Sequence, residues 1–128
     1  MEARSVKLRE EYIRSGIVMR WIDGDSLEVM IDLGFHVSII ETVRVYGVNC
    51  PESNSADVGE RERGKKATKF ANDVCPSGTM IMMKTFKADS REKFGRYLAD
   101  VVLEGNRRYA DMVISSGNGV EYFGGKRG

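Results

Sequence analysis

The residues in this chain able to do chemistry are carboxylates and arginines. His36 is the single histidine, and Cys50 and Cys75 are the two cysteines. A histidine-dependent hydrolase is therefore disfavoured, and without CxxC spacing no zinc site is expected. Between Asp23 and Asp32 lie four acids (Asp23, Asp25, Glu28, Asp32) and no Lys or Arg. Between Lys84 and Arg96 lie five bases (Lys84, Lys87, Arg91, Lys93, Arg96) against two acids. Either run alone reads as a solvated loop. Together they supply what metal-dependent cleavage of a phosphodiester needs, carboxylates for a cation and guanidinium groups for phosphate.

Three clusters sharpen this reading. They are Trp21-Ile22-Asp23-Gly24-Asp25-Ser26-Leu27, then Val43-Arg44-Val45-Tyr46-Gly47-Val48-Asn49-Cys50-Pro51-Glu52, then Glu92-Lys93-Phe94-Gly95-Arg96-Tyr97-Leu98-Ala99. In order and spacing they resemble the staphylococcal (micrococcal) nuclease family, from about Gly16 to Phe123. The resemblance implies an OB-fold enzyme that cleaves DNA and RNA with one calcium ion. Carried over by position, it implies that Asp25 binds the metal, that Arg44 and Arg96 bind phosphate, and that Glu52 acts as general base or orients the attacking water. It further implies a metal ligand in the Cys50 backbone carbonyl, a basic and aromatic pair beside the nucleotide in Lys93 and Phe94, and base-stacking aromatics at or near Tyr122 and Phe123. The family's second metal-binding aspartate is Asn49 here. An amide oxygen still suits a hard cation but brings no charge, so weaker metal affinity is expected. The same change leaves room for a second function, a catalytically weakened module of this fold that binds nucleic acid or protein.

The elements that must hold these residues are mostly strands. Gly16–Ile22, Ser26–Ile31 and Val37–Tyr46 read as three strands separated by Asp-Gly and Leu-Gly turns. Asn49–Gly59 reads as a loop. Ala67, Phe70, Ala71 and Val74 share one face of a helix over Gly64–Val74, ended by Pro76 and Gly78. Thr79–Phe86, with the Met80–Met83 run as core, and Arg96–Leu103 read as strands four and five. Tyr109–Ser116 reads as a short helix stopped at Gly117. The predicted architecture is mainly β within the α+β class. It is a five-stranded antiparallel OB barrel with a helix between strands three and four and a short C-terminal helix.

Length and composition frame the rest. The 128 residues suit one domain, expected over 15–128 behind an arm at 1–14. A net charge of +1 excludes a bulk polycation, so DNA or RNA must be bound through local charge segregation. No apolar run approaches the roughly 18–20 residues of a membrane span, so no membrane partner is expected. Met1–Arg14 is charged and lacks an apolar core, which predicts a cytoplasmic protein, or a secreted one if Met1 replaces a removed signal. A monomer is expected, with a weak oligomer as the alternative.

Overall fold

The computed structural model describes residues 12–85 and 96–123. β1 (Tyr12–Asp23), β2 (Ser26–Gly34) and β3 (Val37–Val45) form an antiparallel meander. The short β4 (Gly47–Asn49) follows, then α1 (Val58–Val74), β5 (Met80–Thr85) and β6 (Tyr97–Leu103). The two-residue β7 (Arg107–Arg108), α2 (Tyr109–Ser116) and β8 (Val120–Tyr122) complete the described chain. β5 pairs with both β1 and β6, and β6 pairs with β3, so five strands close a barrel in the order β3-β2-β1-β5-β6. This is the OB-like, mainly β class that the sequence predicts.

Several details differ from the sequence reading. The second hairpin turn is Phe35–His36, because Gly34 still belongs to β2, and the segment expected as a loop over Asn49–Gly59 begins in β4 and ends in α1. The set is not fully antiparallel, because β3 and β6 run parallel. Directions cannot alternate around a closed ring with an odd number of strands, so one seam must be parallel. β1 begins at Tyr12, taking in residues assigned to the arm; residues 1–11 lie outside the described residues. α1 begins at Val58 rather than Gly64, because the Asp57 carboxylate caps it by accepting from the Glu60 N–H at 2.8 Å. The Met80–Met83 run is only half core: Ile81 and Met83 point inward while Met80 and Met82 are exposed, the period-two alternation of a strand.

The core follows the same alternation. Leu27, Val29 and Ile31 of β2, Val43 and Val45 of β3, and Ala99, Val101 and Leu103 of β6 are all buried. α1 seats against the barrel through small residues, Gly64, Ala67 and Ala71, at helical spacing. Trp21 stacks on Tyr109 with ring centroids 4.6 Å apart and donates its indole N–H to the Cys75 carbonyl at 2.8 Å. That contact ties β1, α2 and the end of α1 together. Among the described residues no helix is long and apolar enough to cross a membrane.

Candidate active site

The turn between β1 and β2 holds two aspartates with different surroundings. Asp23 accepts from the Ser53 backbone N–H at 3.1 Å and from the Ser53 hydroxyl, which moors the loop carrying Pro51 and Glu52. Asp25 is buried, 7% exposed; its Oδ2 accepts the Cys50 backbone N–H at 2.8 Å and lies 3.6 Å from Arg44 Nη2. Between them Gly24 is pressed under α1. A Cβ there would sit 2.8 Å from Ala67 Cβ and 3.0 Å from Cys50 Sγ. The Gly24 carbonyl accepts from the buried Tyr109 hydroxyl. Burial, reinforced by the nearby Cys50 and Asp25, pushes the Tyr109 phenol well above its ordinary pKa, so it stays a donor.

Arg44 faces Ser26 across the β2–β3 ladder, which puts its guanidinium beside Asp25. Nη1 donates to the Val45 and Val48 carbonyls, each at 2.8 Å, and Nη2 donates to Asn49 Oδ1 at 3.3 Å. Tyr122 of β8 lies under the guanidinium, 5.9 Å from ring centroid to Cζ. The side chain is therefore clamped in one orientation, with an arginine fork that lysine could not reproduce. Arg96 enters from the start of β6. Its Nη1 donates to Ser26 Oγ at 3.0 Å, and that hydroxyl donates to Asp25 Oδ1 at 3.3 Å. Both arginines are thus linked to one buried carboxylate.

The fold brings together Asp25, Arg44, Asn49, Cys50, Arg96 and Tyr122. Glu52 lies three residues beyond Asn49, exposed, with no hydrogen bond or ion pair for its carboxylate among the described residues. Phe123 is 58% exposed, its ring 5.3 Å from that of Tyr46. Lys93 and Phe94 lie outside the described residues. Asp25 Oδ2 and Asn49 Oδ1 both aim at the Arg44 guanidinium. The guanidinium itself occupies the place on which these two oxygens converge; carboxylate and amide oxygens are also the donor type that a hard cation takes. With Asn49 in the set there is one carboxylate rather than two. Accordingly, no three His, Cys, Asp or Glu side chains gather as a metal site among the described residues.

A family model described as staphylococcal nuclease homologue matches residues 42–126, two thirds of the chain. The chain belongs to the staphylococcal nuclease homologue family. The match contains Arg44, Asn49, Glu52 and Arg96, while the Asp25 turn lies upstream of it. No curated protein is similar enough to count as a match. Membership in this staphylococcal nuclease family supports a nuclease-like or nucleic-acid-binding function in general.

Three positioning residues escaped the sequence reading. Ser26 relays Arg96 to Asp25; its place directly after the second aspartate of the turn was the available signal. Ser53 anchors the Glu52 loop, and nothing local in the sequence pairs it with Asp23 thirty residues earlier. Tyr109 read as one face of a short helix, and its hydroxyl gave no hint that it reaches the turn.

Proposed function

We propose that this protein is a calcium-dependent endonuclease that hydrolyses DNA and RNA phosphodiesters with little sequence specificity, preferring single-stranded or unstacked substrate. The observation that carries this is the buried Asp25 carboxylate joined to Arg44 directly and to Arg96 through Ser26. Two polyanion-binding forks thus share one carboxylate, which is also an oxygen donor for a cation. Asp25, Asn49 and the Cys50 carbonyl would hold the ion. When bound, it supplies charge neutralisation on a non-bridging phosphate oxygen.

The chain's own residues do the remaining work. Arg44 and Arg96 bind equatorial phosphate oxygens, and their attraction grows as charge builds in the transition state. Arg44 is preorganised by the Val45 and Val48 carbonyls, so little ordering remains when substrate arrives. Glu52, whose carboxylate has no hydrogen bond or ion pair among the described residues, takes a proton from the attacking water. Such general-base help typically contributes about 10²–10⁴-fold. Tyr122, and Phe123 beyond it, offer ring faces to unstacked bases.

The test is digestion of single- and double-stranded DNA and RNA with calcium and then with chelator, using wild type, Glu52→Gln and Asn49→Asp. Wild type should cut single strands fastest and only with calcium. Glu52→Gln should lose most turnover while still binding strands. Asn49→Asp should bind calcium more tightly by calorimetry. A second reading, a binding module with weakened catalysis, is favoured by Asn49 alone. It would be preferred if wild type bound strands without cutting at any calcium concentration.

A further inference from the structure

A groove of about 410 Å³ runs from Asn49 and Pro51 at the site outward between α1 and the loop that joins α2 to β8. One wall carries Arg63 and Lys66, the other Gly117–Gly119. We infer that this groove is a second backbone subsite, in which Arg63 and Lys66 hold phosphates of the same strand some nucleotides away from the scissile bond. The inference rests on the nucleic-acid reading of the site and specifies where the rest of the strand lies.

Charge is the first argument. α1 carries five basic side chains, Arg61, Arg63, Lys65, Lys66 and Lys69, two of them paired with acids of the same helix. Lys65 pairs with Glu62 at 3.8 Å and Lys69 with Asp73 at 2.9 Å. Arg63 and Lys66 are exposed and, among the described residues, make no ion pair. Arg63 and Lys66, three apart, share a helix face and both line the groove, whereas Arg61 does not, and none of the lining residues is an acid. Unpaired cations in a concave, acid-free channel attract a polyanion irrespective of its base sequence.

Rigidity and continuity are the second argument. α1 packs so closely on the Glu52 loop that a Cβ at Gly64 would come within 2.5 Å of Glu52 O and Ser53 N. Arg63 precedes that contact directly, so its wall is fixed relative to the site. The opposite wall is pinned as well: the Gly117 and Asn118 N–H groups donate to the Ile114 and Val113 carbonyls at 3.1 Å. A Cβ at Gly119 would sit 2.8 Å from both Val113 and Val48. Asn49, which accepts from Arg44, forms the inner end.

The test measures affinity, not cleavage, in chelator. Fluorescent oligothymidylates of about 4 and about 16 nucleotides span the range of site sizes for a fold of this kind. They are titrated into wild type, Arg63→Gln/Lys66→Gln and, as a control of equal charge loss, Lys65→Gln/Lys69→Gln. Each phosphate contact on a single strand contributes about 0.7 to the slope of log affinity against log salt. The groove variant should lose about 1.4 from that slope on the longer strand. The advantage of wild type should then shrink about 7-fold between roughly 50 and 200 mM salt. The shorter strand should bind both proteins alike, and the control should keep most of the wild-type slope. A groove variant with the wild-type slope on the longer strand, or a control that falls equally, would overturn the subsite while leaving the nuclease reading intact. Wild type that binds neither strand would overturn the nucleic-acid reading and the subsite with it.

Discussion

Asp23 and Asp25 stand two residues apart in one turn, yet one anchors a loop and the other organises two arginines. Their types are identical, so the division of labour comes only from what the fold puts opposite each. Cys75 shows the same dependence on surroundings. It is fully buried at the end of α1, and burial pushes its thiol from an ordinary 9.0 up to about 11. The neutral thiol is favoured in the folded state, so the stabilisation it allows is present below about pH 9. It is lost as the pH rises toward 11, where only the unfolded chain gains by ionising. Denaturation midpoints measured from pH 8 upward should therefore fall for wild type, in the same direction as the raised Tyr109 phenol dictates. Cys75→Ala should show a shallower fall. Identical pH profiles would mean that the buried thiol carries none of it.

Two elements illustrate opposing local forces. In α1, Gly64 violates helix propensity, and replacing it with alanine on an exposed helix would gain about 1 kcal/mol. Here the added methyl meets the Glu52–Ser53 backbone, which cannot rotate aside as a side chain can. Overpacking of this kind costs about 1–3 kcal/mol, so Gly64→Ala should be net destabilising in urea and should also lower turnover, because the displaced segment carries Glu52. In the β2–β3 hairpin, Phe35 and His36 form the two-residue turn with φ of 55° and 62°. Both are left-handed positions that glycine and asparagine tolerate far better, at about 1–2 kcal/mol per residue for others. Phe35 is also 97% exposed, so its ring gains nothing from burial. Phe35→Asn/His36→Gly should raise the melting temperature with the register between Asp32 and Ser38 kept. A lower one would show that the ring has a role in the folded chain.

For the molecule as a whole, the strands and the site were legible to different degrees. β2 and β6 announced themselves because each alternates cleanly between core and surface. Asp25, Arg44 and Arg96 were visible because a turn signal and two Arg-bearing strand segments recur at family spacing. β4, β7 and β8 are two or three residues long, too short for any period to show. The first turn of α1, Val58-Gly59-Glu60-Arg61, has a single apolar residue, exposed, and so shows no stripe; its Asp57 cap is the local mark of the start. The relay through Ser26 and the mooring of Asp23 are tertiary facts with no local trace.

The parallel seam between β3 and β6 joins Val43–Val45 to Tyr97–Ala99, more than fifty residues away along the chain. Closing a loop of that length costs about 3.5 kcal/mol of chain entropy, plus a constant, against three pairs of residues gained. The seam should be the last part of the barrel to form and the first to breathe. Ala99→Gly on the β6 side of the seam should then speed unfolding and leave the folding rate nearly unchanged, while Val29→Ala in the meander should slow folding. Arg44 sits in that seam and Arg96 borders it, so the two forks part whenever it opens. A phosphate held by both would act as a stitch across the weakest line of the fold. Amide exchange at Val43–Val45 and Tyr97–Ala99 should slow on nucleotide binding well before exchange in the β1–β2 pair does.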